Sequence, residues 1–212
     1  MRCPVCEGPY GQAFQTIAGR AYARCSRCEA TFVLPSHLPT PEAERAEYEL
    51  HRNSADDLGY RAFLSRLAEP LLQRLTPRSQ GLDYGCGPGP VLAGMLRAAG
   101  HRVALYDPFF HPDTAVLNER YDFITCTEVV EHFHHPAAEF ARLDRCLKKG
   151  GWLAVMTRFQ TDDARFAQWH YRRDPTHVVF YRQATFEHLA RSHGWHCEVP
   201  APDVVLMRRA PE

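Results

Sequence analysis

The 212 residues carry 25 basic and 25 acidic side chains, so the chain has no net charge. It therefore lacks the large field that draws nucleic acid or an anionic membrane, although a local patch remains compatible with it. No apolar run is long enough to span a bilayer and no signal-peptide pattern opens the chain, and the length suits one α/β domain with a small appendage.

Residues 1 to about 35 hold Cys3-Pro4-Val5-Cys6 and Cys25-Ser26-Arg27-Cys28. Two C-x-x-C knuckles at this separation supply four thiolates for a tetrahedral zinc, which predicts a zinc ribbon. Phe14, Ile17, Gly19 and Tyr22 between them suit a short hairpin. Cys86, Cys126, Cys146 and Cys197 are scattered. A metal site plus free thiols in a reducing cytoplasm fits this usage better than a disulfide framework. A segment this small needs the metal to build a core, so a structural role is the default. Arg20, Arg24 and Arg27 open the alternative of contact with a phosphate backbone, diluted by Glu7 and Glu29.

Residues 36–78 read as a linker and a helical lid segment. Pro35, Pro39 and Pro41 mark the linker, and Thr40-Pro41-Glu42 is a capped helix start. A second helix carries Leu58, Phe63, Leu64, Leu67, Leu71, Leu72 and Leu75. Tyr60 and Arg61 on it are candidates to reach a ligand; a plain core helix is the competing reading.

Leu82-Asp83-Tyr84 then runs into a turn with Gly85, Gly87 and Gly89, followed by apolar residues at helical spacing from Val91 to Ala99. Strand, glycine-rich turn and helix form the opening unit of a nucleotide-binding α/β domain. The spacing is not a clean G-x-G-x-x-G, and Pro88 and Pro90 restrict the donors at the helix start. The acid before the first glycine suits a cationic amino group better than a pyrophosphate. A second strand, Arg102 to Tyr106, ends at Asp107, where a carboxylate can accept from both hydroxyls of a ribose. Thirteen residues, Pro108 to Arg120, separate it from the next strand, Tyr121 to Cys126. That interval is too short for a full helix and strand, so it reads as a loop with at most one irregular strand. Phe109 and Phe110 in it are candidates for packing beside an adenine or in the ordinary core.

Thr127-Glu128-Val129-Val130-Glu131-His132 sits at the carboxyl end of that strand, where ligands bind in open α/β sheets. Spaced over one helical turn, Glu128, Glu131 and His132 would share a face. Pro136 starts a helix through Phe140, Leu143 and Leu147, closed by Lys148-Lys149-Gly150-Gly151 before a buried strand, Trp152 to Thr157. Further on, the run from Trp169 to Phe180, with His170, Tyr171, Arg172, Arg173, Asp174 and His177, precedes a helix from Gln183 to His193 and then Gly194-Trp195. That run is expected to shape an acceptor pocket, its arginines suited to an anionic group, or else to form a solvated loop.

The motif D-x-G-C-G-x-G at Asp83–Gly89, the E-x-x-E-H at Glu128–His132 and the L-K-x-G-G-x-L at Leu147–Leu153 follow in the order of a class I S-adenosylmethionine (SAM)-dependent methyltransferase, which the chain resembles over about residues 80 to 157. The resemblance implies a doubly wound, Rossmann-like, mostly parallel sheet over residues 79–212, behind the zinc ribbon. It implies SAM bound by Asp83, Gly85, Cys86, Gly87, Asp107 and Pro108, with Thr127 or Glu128 close to its methionine end. The H-x-x-F, helix and Gly-Trp of the last third are similar to the ubiquinone-pathway O-methyltransferases. They are similar also to enzymes that methylate the 3′-terminal 2′-hydroxyl of small RNAs. In those RNA enzymes the positions matching Glu128, Glu131, His132 and His177 hold a divalent ion.

Such a set suits Mg²⁺, Mn²⁺ or a later transition metal, and a metal on two adjacent hydroxyls would activate one of them. A small diol or catechol is then the expected acceptor. A lone imidazole base without metal stands beside the metal reading, and a role away from the chemistry is the remaining reading. The leading expectation is O-methylation of a small molecule. RNA methylation with the ribbon as the docking module is the alternative enzyme, and a non-catalytic SAM-binding adaptor the alternative outside enzymes.

Overall fold

The computed structural model describes residues 2–9, 12–50 and 54–211. Both C-x-x-C knuckles fold identically. The Cys3 amide donates to Gly8 O and the Glu7 amide to Cys3 O, and the Cys25 and Glu29 amides repeat this with Ala30 O and Cys25 O. Glu7 and Glu29 hold the left-handed conformation that closes each turn. Between them β1 (Gln12–Ile17) and β2 (Arg20–Arg24) pair antiparallel. They join through Ala18 and Gly19, both at positive φ, the two-residue turn whose twist matches a hairpin. β3 (Thr31–Val33) adds to β2.

α1 (Pro41–Tyr48) starts as the Thr-Pro pair predicts, with Thr40 Oγ1 accepting from the Ala43 amide. α2 (Leu58–Leu72), capped by Asp57, buries Leu64, Leu67, Ala68 and Leu71 and leaves Leu58 exposed. β4 (Gln80–Tyr84), α3 (Val91–Ala98) and β5 (Arg102–Tyr106) are the predicted βαβ opening. The stretch from Pro108 to Arg120 contributes a single bridge, His111 to Asp107, and a 3₁₀ turn, Thr114–Asn118, but no strand, so among the described residues β5 is a sheet edge.

β6 (Tyr121–Thr127) and α4 (Pro136–Cys146) follow. Lys148-Lys149-Gly150-Gly151 does not cap α4 as expected. The helix stops at Cys146 and β7 already runs from Leu147 to Met156, pairing with β6 across a bulge between Tyr121 and Phe123. Gly151 permits this crossing, because a Cβ there would meet Asp122 O and Lys148 O at 2.9 Å. A short α5 (His170–Arg173), β8 (Val179–Phe180) and α6 (Gln183–His193) come next, α6 ending on left-handed Gly194 as read. β9 (Trp195–Ala201) and β10 (Val204–Arg209) form the closing hairpin.

The main sheet has the order β5-β4-β6-β7-β10-β9, parallel through β7 and antiparallel at β10 and β9. Alternation along β7 sets its two faces. Trp152, Ala154 and Met156 pack with α2 and α3, while Leu153 and Val155 pack in the same core as α4 and α6. The expected doubly wound α/β fold is thus present. The ribbon sheet has the order β1-β2-β3-β8, so residues 31–33 share a sheet with residues 179–180. Tyr22 and Phe180 each pack edge-on against Phe166 at 5.1 Å. Among the described residues no helix is long and apolar enough to cross a membrane.

Candidate functional site

One cavity of about 790 Å³ opens over the carboxyl ends of β4, β5 and β6. Asp83, Gly85, Cys86, Gly87, Asp107, Pro108, Thr127 and Glu128, the eight residues expected around SAM, all line it. His132 and His177 line its other side, and Glu131 lies buried behind them. Tyr60, Phe109 and Phe110, each weighed against a plain core role, line the cavity.

The glycine turn is shaped by a close approach. Gly85 sits at φ +76°, and a Cβ on it would lie 2.5 Å from Val129 Cγ2. Val129 is brought there by Glu128, which takes the left-handed conformation at φ +52° as the chain leaves β6. Glu128 consequently stands outside the helical turn expected to carry it: the 3₁₀ turn covers only Val130–His132. Val129 filling the space beside Gly85 is the physical reason.

Asp83 is buried, its Oδ1 accepting from Thr125 Oγ1 at 2.7 Å. Desolvation dominates over that bond and pushes its carboxyl up to about 6. Asp107 anchors the turn: Oδ2 accepts from the Gly87 amide at 3.0 Å, and Oδ1 from the Phe109 and Phe110 amides at 2.9 and 3.1 Å. An oxygen carrying two such bonds is saturated, so Oδ2 is the oxygen with room for a further donor. Thr127 Oγ1 and Glu128 Oε1 are buried without hydrogen-bond partners among the described residues. Burial, with the neighbouring Glu131 carboxylate adding to it, raises the Glu128 carboxyl to about 9, so it is protonated at neutral pH.

Behind the cavity, Glu131, His132 and His177 each offer a ligand atom within 4.8 Å of the others. Glu128 is not part of this trio. Glu131 is completely buried; Tyr171 Oη donates to its Oε1, and its Oε2 has no partner among the described residues. His132 Nδ1 lies 3.1 Å from Thr176 O, and His177 Nδ1 2.7 Å from Tyr171 O. A carbonyl only accepts, so both Nδ1 atoms carry a proton and Nε2 is the ring atom left for a ligand; His177 Nε2 also lies 3.7 Å from Asp174 Oδ2. Burial lowers the His177 pKa, keeping that ring neutral. An orphaned carboxylate oxygen beside two imidazoles held by backbone carbonyls is a donor set suited to a divalent cation.

The arginines of the 170–174 run turn away from the cavity. Arg172 donates to Tyr22 Oη and Ala167 O, and Arg173 to Gln168 O, whereas His170, Tyr171 and Asp174 line the wall. Arg61 is not among the lining residues, whereas Arg142 and Arg158 are. Sequence reasoning passed over Tyr48, the last residue of a polar helix, whose ring meets His132 edge-on at 5.2 Å and Phe109 at 5.5 Å. Glu44, one turn earlier, is buried against His134 Nε2 at 2.9 Å. The only signal for either was an aromatic closing an otherwise charged helix.

At the ribbon, Cys3 Sγ and Cys28 Sγ are 3.7 Å apart, and Cys6 Sγ and Cys25 Sγ 3.6 Å. These are not disulfide lengths. They are close to the ~3.8 Å edge of a tetrahedron with ~2.3 Å metal–sulfur bonds. The Arg27 and Cys28 amides point at Cys25 Sγ at 3.4 and 3.5 Å, as amides do around a thiolate ligand. Two of the three ribbon arginines weighed for phosphate contact are committed inside the protein. Arg24 pairs with Asp163 and bonds Thr31 Oγ1, and Arg20 donates to the carbonyls of Pro175 and His177.

A glycine turn, acids at the ends of two adjacent parallel strands and a cavity across them define an α/β domain of the nucleoside-binding class. Residues 57–198 match the model of a methyltransferase domain, and the chain belongs to that family; it is a SAM-dependent methyltransferase. Among solved structures it is similar to the 1,6-didemethyltoxoflavin-N1-methyltransferase of Burkholderia thailandensis, crystallised with 1,6-didemethyltoxoflavin and S-adenosylhomocysteine. That likeness has 17% identity, covers 95% of this chain and 100% of that one, and has a TM-score of 0.52. An O-methyltransferase family protein from the same organism matches at 14% identity over 79% of this chain and 63% of that one, also with a TM-score of 0.52. At these identities the likeness establishes the fold. A search of curated protein sequences returns no match.

Proposed function

We propose that this methyltransferase acts on oxygen of a small molecule with adjacent hydroxyls, a diol or catechol, next to a divalent ion held by Glu131, His132 and His177. The observation that carries the reading is the fully buried Glu131, whose Oε2 lacks a partner among the described residues and which shares a cluster with two imidazoles whose Nδ1 atoms are taken by backbone carbonyls. A divalent ion there would lower the pKa of a bound hydroxyl and fix its line of approach to the methyl group. SAM, when bound, would supply the methyl as a sulfonium; the acceptor hydroxyl, acidified by the ion, would give its proton to solvent, and its oxygen would displace the neutral thioether. Asp83 faces the cationic end of the donor, Gly85, Cys86 and Gly87 let it approach the backbone, and Asp107 Oδ2 with Pro108 takes the ribose. Thr127 Oγ1 and Glu128 Oε1, otherwise partnerless, accept the methionine end or the acceptor. Tyr171 holds Glu131 in place through its hydroxyl. Residues 1–35 carry a structural zinc on Cys3, Cys6, Cys25 and Cys28, residues 36–78 form a helical lid that presents Tyr48 and Tyr60, and residues 79–212 form the SAM domain.

Metal analysis of protein purified without a polyhistidine tag tests this. One zinc plus one further ion, the latter lost in Glu131→Ala and His177→Ala, is expected, together with SAM-dependent turnover of catechols. No second ion when Mg²⁺, Mn²⁺ or Fe²⁺ is offered would remove the diol reading and leave His132 as a lone base. The RNA reading needs free arginines on the ribbon, and the internal engagement of Arg20 and Arg24 argues against it.

A further inference from the structure

We propose that the ribbon is a working part of the acceptor site, and that Arg20 is the positioning residue that joins the two. The inference rests on the reading of His132 and His177 as acceptor-side groups. The segment 175–178 lies between the ribbon and the turn that carries Glu131 and His132, and its backbone groups divide between them. Toward the ribbon, Pro175 O and His177 O accept from Arg20 Nη2 at 2.9 and 3.2 Å, and Val178 O accepts from the Val33 amide at 2.8 Å. Toward the turn, Thr176 O faces His132 Nδ1 at 3.1 Å, and the Val178 amide donates to Glu131 O at 2.8 Å.

Thr176 O, the acceptor that fixes the His132 tautomer, is thus flanked by the two carbonyls that Arg20 holds. A guanidinium presents several donors in a rigid plane, so one side chain can bind two carbonyls and set the rotation of the peptides between them. Rotating those peptides would turn Thr176 O off His132 and displace the His177 ring together. Arg20 touches neither SAM residue nor acceptor cavity; it acts through the loop. Its own position depends on β2, which ends immediately before Cys25, so the metal knuckle sets the register of the whole arrangement.

The test uses the full, zinc-loaded chain with ¹⁵N-labelled histidine. Imidazole ¹H–¹⁵N spectra report the tautomers of His132 and His177, calorimetry gives the affinity for S-adenosylhomocysteine, and Mn²⁺ titration probes the histidine set. Arg20→Met is expected to keep its zinc and to hold S-adenosylhomocysteine within about twofold. Its His132 is expected to pass from a single Nδ1–H tautomer to an exchanging mixture, and Mn²⁺ to bind on the order of tenfold more weakly, as for lost outer-shell partners. Arg20→Lys, which keeps the charge and a donor, restores part of the tautomer signal, and it carries the same test should Arg20→Met not fold. Imidazole spectra unchanged from the wild type would overturn the proposal. So would a parallel collapse of folding and S-adenosylhomocysteine affinity in both variants, which marks a merely structural arginine. Wild-type protein that takes up no Mn²⁺ would defeat the divalent-ion reading alone, while the imidazole spectra still decide the role of Arg20.

Discussion

Asp83 is a buried acid that accepts a hydroxyl hydrogen bond from Thr125, and its protonation makes a sharp prediction. Its carboxyl rests at about 6 in the fold against about 4 in an unfolded chain. The folded state therefore binds more protons than the unfolded state between these values, and stability falls as pH rises from about 4 to about 6, then levels. Two pH units correspond to about 3 kcal/mol. Asp83→Asn removes the titration while keeping an oxygen to accept from Thr125. Urea unfolding of both proteins, free of ligand, at pH 4, 5, 6 and 7 is the assay. The stability difference should move by about 2 kcal/mol in favour of the variant across that range, because the unfolded carboxyl is already half ionised at pH 4. Taking the difference cancels the other titrating groups, the raised Glu128 among them. A difference that stays flat with pH would refute the argument that desolvation governs this acid. The same charge favours the ammonium group of the ligand's methionine end, so the variant should also bind S-adenosylhomocysteine at least tenfold more weakly at pH 7.5.

Gly85→Ala should destabilise by about 2 kcal/mol or more, since it meets Val129 at 2.5 Å while held at positive φ. Adding Val129→Ala should recover only the steric part, which thermal unfolding of the double variant will show. Glu128→Gln should leave S-adenosylhomocysteine affinity at pH 7 within about twofold, because the carboxyl there is already protonated; a tenfold loss by calorimetry would contradict that state. If the proposed zinc is bound, Cys25→Ser should lose one zinc equivalent by elemental analysis. It should also lower the unfolding midpoint, because metal-binding energy in a segment so small is folding energy. Leu67→Ala, at a site with no solvent exposure, should cost about 2–5 kcal/mol in chemical denaturation.

The parts of the fold legible in the sequence were those set by local chemistry. Thr40-Pro41 starts a helix, Asp83 to Ala98 traces strand, turn and helix, and Gly194 ends α6, each because a cap, a glycine or an apolar period acts within a few residues. The failures have non-local causes. Lys148 to Gly151 has the composition of a helix end, yet β6 draws it into a bulged strand. Glu128 was assigned a helical face because E-x-x-E-H has helical spacing, whereas packing of Val129 on Gly85 turns it left-handed. The cavity residues were found because motif spacing names them. Arg20, Tyr48 and Glu44 act across distant pairings that no spacing encodes, and Arg172 and Arg173 face the wrong way for the anion-binding role their charge suggested.

The pairing of β3 with β8 bears on the order in which the chain can be completed. The hairpin of β1 and β2 and the two knuckles are built from contacts between residues close in sequence. The outer edge of β3 waits for Val179 and Phe180, which leave the ribosome only after β4 through β7 have emerged. Contacts so distant in sequence carry a loop-closure cost and form late. A nascent chain therefore holds an open edge on β3 until the segment that carries His177 arrives to cover it.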